Sequence, residues 1–184
     1  MAVPAPHARE RRAIGAALHG FAPIADARAR LLILGSMPGI ASLAAGQYYA
    51  HPRNGFWPVM ESIVGIPASA SYAVRVRAVK QAGIAVWDVL ASCERRSSLD
   101  SDIDPRSVVV NDFAGFFRTH RAIRAIAFNG GTAAQLFRRH VLPGLAAPLR
   151  ELPMMQLPST SPAHARLSLA DKRRAWAALA LDHS

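Results

Sequence analysis

The sequence predicts an α/β fold, a three-layer α/β/α sandwich with a central four-stranded parallel sheet. Four short apolar runs close at small or polar residues, as strands buried on both faces do. Between them, apolar residues recur at spacings of three and four, which is the period of an amphipathic helix. The chain has 184 residues, 51% of them hydrophobic, enough for the core of one domain. Strands that alternate with helices indicate a parallel sheet covered on both faces.

The four predicted strands are continuous apolar runs. In chain order they are 31–34, 84–87, 123–128 and 152–157. The first closes at Gly35, the third at an Asn-Gly-Gly turn and the fourth at Pro158. Pro153 is unfavourable inside the fourth run, because proline donates no hydrogen bond to a ladder.

The helices are predicted from the intervening segments. They are 56–64, 72–82, 113–118, 132–140 and 170–181. Asp or Thr stands near several of their starts and supplies a cap. Residues 1–18 hold two prolines and a charge run without apolar periodicity, so we expect a disordered basic tail there. The remaining 19–184 are predicted to form a single domain.

The chain is strongly basic. Its 22 Lys and Arg exceed its 12 Asp and Glu and give a formal net charge of +10. Such a surface attracts polyanions, so nucleic acid leads the expected partners. Only Lys80 and Lys172 are lysines. The excess of arginine favours bidentate phosphate contacts, or it reflects a GC-rich coding bias alone.

Several classes of protein are excluded by composition. The single Cys93 excludes an internal disulfide and a multi-cysteine zinc site, and it fits a reducing, cytoplasmic compartment. The seven histidines show no paired ligand spacing, so no metal is expected. No apolar run approaches the ~20 residues that cross a bilayer, so no membrane association is expected.

The functional site is expected outside the carboxyl ends of the strands, where open parallel sheets bind their ligands. Four loops begin there, at Ser36, Asp88, Asn129 and Pro158. The first loop is the richest in candidate functional residues. Its aromatic pair at 48–49 is followed by His51, Arg53 and Asn54. Stacking surfaces beside cationic side chains suit a nucleobase and its phosphate.

Other interpretations of the first loop remain. Residues 35–39 lack the GxGxxG spacing of a dinucleotide site. A triad of Ser36, His51 and Asp88 is chemically possible, although the serine is not in a G-x-S-x-G turn. The Phe-Trp pair at 56–57 can instead simply begin a helix and pack into the core.

Four motifs resemble the uracil-DNA glycosylase superfamily, specifically its hypoxanthine-DNA (deoxyinosine) glycosylase branch. They are GSMPGIASLAAGQYYAHPRNGFW at 35–57, GIAVWDVLASCERRSSLDSDI at 83–103, IAFNGGTAAQLF at 126–137 and LPSTSPAHA at 157–165. The resemblance spans about 21–181. It implies a DNA glycosylase that flips out a deaminated base and excises it hydrolytically in base excision repair. Hypoxanthine is the expected base, with uracil or a G/U mismatch as the alternative.

The resemblance also implies catalytic roles. Several branches place an Asp or Asn where this chain has Met37, so Asn54 is expected to orient the attacking water. Classical members begin the last motif with a catalytic His, here Leu157, so Asn129 is expected to stabilise the leaving base. Because Met37 and Leu157 replace polar groups, a catalytically inactive DNA-binding relative is a further alternative.

The base pocket implied by the resemblance contains the turn after the first strand, with Ser36 and Met37. Tyr49 matches the aromatic residue that stacks on the flipped base, and Asp88 stands where classical members read the base edge with Asn. Hypoxanthine presents an O6 acceptor and an N1–H donor, and a carboxylate can accept the latter. The alternatives for Asp88 are a helix cap or the partner of an arginine.

The DNA backbone is expected to meet two loops. The residues assigned to it are His51, Arg53, Ser159, Thr160, Ser161, His164 and Arg166. Hydroxyl and backbone N–H groups of the second loop can bind phosphate oxygens. His164 can fill the space of the flipped base or be a surface residue. Because no lysine lies in these loops, we expect a monofunctional enzyme. We also expect a monomer that needs no cofactor.

Overall fold

The computed structural model describes residues 17–181. Positions 1–16 of the predicted tail therefore lie outside the described residues. The first strand begins at Leu18, one residue before the predicted start of the domain at 19. The strands are β1 Leu18–His19, β2 Leu31–Gly35, β3 Ile84–Asp88, β4 Leu90–Cys93, β5 Val109–Val110, β6 Ala125–Asn129 and β7 Met154–Leu157. The helices are α1 Ile40–Ala45, α2 Phe56–Val64, α3 Tyr72–Gln81, α4 Phe113–Thr119, α5 Gly131–His140, α6 Ala147–Arg150, α7 Leu169–Trp176 and α8 Ala178–Leu181.

The main sheet confirms the predicted α/β sandwich. Its order is β3-β2-β6-β7, and all three pairings are parallel. Strands β2 and β3 are buried along their whole length, because helices cover both faces. In the register, Gly35 lies opposite Asp88 and Asn129 lies opposite Leu157. The polar strand ends therefore meet at one edge of the sheet.

The helices pack their apolar faces on this sheet. Phe56, Phe128, Phe137 and Trp176 are fully buried. Phe56 and Trp57 begin helix α2 and belong to the core, as their alternative interpretation predicted. None of the helices among residues 17–181 is long and apolar enough to cross a membrane.

A second, antiparallel sheet of order β1-β4-β5 was not predicted. Strands β1 and β5 have two residues each, too few to show alternation. Helix α1 was also missed, and the helix predicted over 170–181 is interrupted at Ala177. The second sheet matters for the site, because the segment that links β4 to β5 lies against the first loop. Ser98 Oγ there accepts a hydrogen bond from the backbone N–H of Ile40, at 2.9 Å.

Candidate active site

Three predicted residues converge at the ends of β2, β3 and β6. A Cβ atom placed on Gly35 would clash with Asp88 Oδ1 and would lie 2.9 Å from the Tyr49 hydroxyl. Glycine is therefore required at the end of β2 by the close approach of these two side chains. The Asn129 amide lies near enough to the Tyr49 hydroxyl to oppose part of the increase in its pKa.

Asp88 is a buried carboxyl group. The residue is 3% exposed, and its Oδ2 has no hydrogen-bond partner among the described residues. Burial and, to a smaller extent, the charge of Asp100 raise its pKa to about 7, with Arg95 opposing part of the increase. Both protonation forms are therefore populated near neutral pH. A strand, not a helix, follows Asp88, which disfavours its interpretation as a helix cap. The ion pairs within residues 17–181 do not include Asp88, which disfavours its interpretation as the partner of an arginine.

Tyr49 is held in an unusual backbone conformation. Its φ of 55° lies in the left-handed region, which is rare for a bulky side chain and is often found at functional sites. Its ring stacks on Phe56 at a centroid distance of 3.9 Å. Within residues 17–181 the buried hydroxyl makes no hydrogen bond, and burial raises its pKa well above the usual value. Tyr49 is thus a rigid, protonated aromatic surface beside Asp88.

Asn129 is fixed by the loop that follows β7. Its Nδ2 donates to Thr160 Oγ1 at 2.9 Å, and the backbone N–H of Thr160 donates to its Oδ1 at 2.8 Å. Thr160 is only 1% exposed. The prediction that Thr160 contacts a DNA phosphate is therefore disfavoured, because its hydroxyl is buried and engaged with Asn129. The amide keeps one N–H that these two bonds do not use.

Asn54 is joined to the same loop. Its Oδ1 accepts a hydrogen bond from the backbone N–H of Phe56 at 2.9 Å, which fixes the turn into α2. The next residue, Gly55, donates its N–H to the carbonyl oxygen of Thr160 at 2.9 Å. Thr160 thus connects the turns that carry Asn54 and Asn129. Within residues 17–181, the Asn54 amide N–H groups have no hydrogen-bond acceptor and are free to bind a ligand or water.

Ser36 and Met37 are both buried and engaged within the protein. Ser36 Oγ donates to Asp100 Oδ1 at 2.6 Å. Met37 is 6% exposed and belongs to the apolar core. The Ser36, His51 and Asp88 triad is disfavoured, because the serine proton is directed to Asp100 and His51 Nδ1 accepts from the backbone of Arg53. The predicted contact of Ser36 and Met37 with a base stays a prediction.

Sequence reasoning missed Arg95 and Asp100. The Arg95 side chain is fully buried, donates from Nη2 to the carbonyl oxygen of Pro38, and places Nη1 3.9 Å from Asp100 Oδ1. Its Nε and Nη1 have no hydrogen-bond acceptor among the described residues. A pair of adjacent arginines in a polar segment is typical of an exposed loop, so only the three-dimensional pairing identifies Arg95 as a buried cation near Asp88.

A cavity of about 370 Å³ beside Asn54 is lined by two of the predicted DNA-binding residues. Arg53 and His164 line it, while Arg166 is exposed nearby in the chain. Ser159 Oγ accepts from the backbone N–H of Ser161 at 3.2 Å, which shapes the second loop. The cavity also contains Lys172, which the sequence did not place in the site.

Known proteins resemble this chain in sequence and in fold. A family profile described as the Uracil DNA glycosylase superfamily matches residues 22–180. The chain belongs to the uracil DNA glycosylase superfamily. Its relatives include a hypoxanthine DNA glycosylase of Methanosarcina acetivorans, 31% identical over 87% of this chain and 96% of that protein. The hypoxanthine DNA glycosylase of Methanosarcina barkeri is 36% identical over 60% of this chain and 70% of that protein.

A solved structure supports the superfamily fold. The solution NMR structure of a protein described as a candidate uracil DNA glycosylase, from Methanosarcina acetivorans, superposes with a TM-score of 0.74. It is 30% identical and covers 90% of this chain and 98% of that one. The chain is therefore a DNA glycosylase of this superfamily, and the predicted family, fold and enzyme class are confirmed.

Proposed function

We propose that this DNA glycosylase excises hypoxanthine from DNA. The observation that carries the proposal is the buried Asp88 carboxyl group with an unpartnered oxygen. As a carboxylate, it accepts the N1–H of hypoxanthine. Adenine has no hydrogen on N1, so in the same position it would leave the buried carboxylate unpaired, a penalty that gives strong discrimination. Both curated relatives named above are hypoxanthine DNA glycosylases.

Four residues perform the proposed reaction. Tyr49 stacks on the base after it leaves the duplex. Extrusion of the base costs a few kcal/mol, and less for a poorly paired deaminated base. Asn54 orients a water toward C1′ of the deoxyribose. The free N–H of Asn129 stabilises the negative charge that develops on the departing base, while Thr160 holds its amide in place. A donor fixed before the reaction needs no reorganisation in the transition state.

Substrate choice is tested directly with matched duplexes that carry hypoxanthine, uracil, xanthine or no lesion. We expect alkali-labile abasic sites to form fastest in the hypoxanthine duplex. Uracil too has a ring N–H that the Asp88 carboxylate could accept, which makes it the alternative substrate. Preferential cleavage of the uracil duplex would identify that alternative. DNA binding without abasic sites in any duplex would identify an inactive relative.

The DNA backbone is proposed to bind Arg53, Arg166, His51, His164 and the Ser159–Ser161 loop through its exposed groups. A DNA substrate also accords with a monomeric enzyme in the cytoplasm, associated with the nucleoid in a bacterium. Arg166 is exposed, and within the described part of the chain it makes no hydrogen bond or ion pair, so its guanidinium is free for a phosphate.

Replacement of Arg166 by alanine is expected to weaken binding of damaged and undamaged duplexes alike. The slope of log affinity against log salt concentration should become shallower by roughly one unit, since about 0.9 counterion is released per phosphate neutralised. Binding titrations at several salt concentrations measure this slope. Arg28, which is paired with Asp26, provides a control substitution. An unchanged slope in the Arg166→Ala variant would exclude Arg166 from the interface.

A further inference from the structure

Lys172 is a buried lysine in the cavity beside Asn54. It belongs to helix α7, is 6% exposed, and lines the cavity together with Asn54, Arg53 and His164. Its Nζ donates to the carbonyl oxygen of Ser161 at 3.4 Å, a weak contact. A lysine in such a position carries a nucleophile into the region where the sugar is proposed to react.

Helix α7 holds Lys172 in this position. Ser168 and Asp171 form a capping box that fixes the start of the helix. Trp176, one turn after Lys172, donates its indole N–H to the carbonyl oxygen of Pro158 at 2.9 Å. The helix is therefore bound to both ends of the Pro158–Ser161 segment. Lys172 makes one of these attachments itself, and it lines the same cavity as the turn that carries Asn54.

The ammonium group has no carboxylate partner within residues 17–181. The neighbouring Asp171 bonds instead to Ser168 and Arg174. Burial lowers the pKa of Lys172. The fraction of neutral amine is thereby larger than for an exposed lysine, and the neutral amine is the nucleophilic form.

We propose that Lys172 forms a Schiff base with the abasic sugar and gives the protein a second activity, that of an abasic-site lyase. This inference rests on the proposed function, since the role of Asn54 is what places C1′ at this cavity. The prediction of a monofunctional enzyme rested on the absence of lysine from the site loops. The fold brings Lys172 to those loops from a helix that follows them in the chain.

The reaction balances with groups that are present. The neutral Nζ adds to the C1′ aldehyde of the ring-opened abasic sugar, and loss of one water with uptake of one proton from solvent gives a protonated imine. A base, for which His164 in the same cavity is placed, removes a proton from C2′, and the C3′–O bond breaks. The 3′ strand fragment leaves with a 5′-phosphate. Water then hydrolyses the imine, which releases an unsaturated aldehyde and restores the amine.

The chain offers an unusually clean test, because Lys80 is its only other lysine. The protein is incubated with a duplex that carries a preformed abasic site, in the presence of sodium borohydride, which reduces an imine to a stable amine. We expect a covalent protein–DNA adduct with the wild type and with Lys80→Arg, and its loss with Lys172→Arg. Peptide mass mapping of the wild-type adduct should place the modification on Lys172.

Two outcomes would overturn the inference. One is the absence of an adduct with the wild type, and the other is an undiminished adduct in a Lys172→Arg variant that melts like the wild type, which would assign the chemistry to Lys80 or the amino terminus. Peptide mapping decides the matter even when the variant does not fold. Base release from a hypoxanthine duplex, revealed by alkali, is measured separately. An adduct without base release would contradict the proposed substrate and support the lyase activity. Base release without an adduct would support the proposed substrate and contradict the lyase activity.

Discussion

Replacement of Asn54 by alanine should slow single-turnover excision of the base by about 10²-fold or more, the scale of losing one positioned polar group in a transition state. The turn before α2 and the Gly55–Thr160 bond hold this amide beside the cavity. DNA binding should change little, since the residue is proposed to act on water. Rapid-quench measurements with enzyme in excess over the hypoxanthine duplex give the rate.

The alanine variant also loses a structural contact. Asn54 Oδ1 accepts from the N–H of Phe56, and loss of such a turn bond costs about 1 kcal/mol of folding free energy. Asn54→Ser is the matched control, because a serine hydroxyl can accept the same bond but offers no amide. Both variants should be slow, and only the alanine variant should be less stable. Wild-type cleavage by either folded variant would remove Asn54 from the mechanism.

The main sheet was predictable because its strands are buried on both faces, which produces uninterrupted apolar runs. The runs ending at Gly35 and Asn129 then locate the site by the general rule for parallel sheets. By contrast, β1 and β5 contribute two residues each to their sheet and are stabilised by pairing with β4. Such strands exist through tertiary contacts and leave no periodic signal in the sequence.

The site was predictable in its residue types and less so in its contacts. Thr160 illustrates the difference, since a hydroxyl in a polar loop is typical of a phosphate contact, yet here it clamps Asn129. Lys172 illustrates the converse. Its position in a helix beyond the motifs gave no reason to place it near Asn54, and only the packing of α7 against α2 brings the two together.

Asp88 should make the protein less stable as the pH rises from about 4 to about 7. The ordinary pKa of an aspartate is 3.8, and burial raises that of Asp88 to about 7. Between these values the unfolded chain loses the proton and the native protein keeps it, so the native state binds more protons and the free energy of unfolding falls. Above about 7 both states are ionised and this contribution is constant. The total fall is on the order of 4 kcal/mol.

Asp88→Asn should abolish this fall, because the amide is neutral at every pH. Urea unfolding at intervals from pH 5 to pH 8 should show the variant gaining on the wild type as the pH rises, by on the order of 2–3 kcal/mol over that range. Asp102→Asn is the control, since Asp102 is an exposed carboxylate on the same segment as Asp100. Parallel stability curves for wild type and Asp88→Asn would show that the carboxyl group is not held protonated by burial.

The same variant tests base recognition. An Asn side chain offers both a donor and an acceptor where the carboxylate offers only acceptors, so the relative rates on hypoxanthine and uracil duplexes should shift. Comparison at pH 8, where the wild-type group is mostly ionised, maximises the chemical difference between the two side chains. A uniform loss on both substrates would indicate that Asp88 supports the Gly35–Tyr49 packing alone. A changed ratio in a variant more stable than the wild type would separate recognition from folding, because the substitution would then alter selectivity while relieving the buried charge.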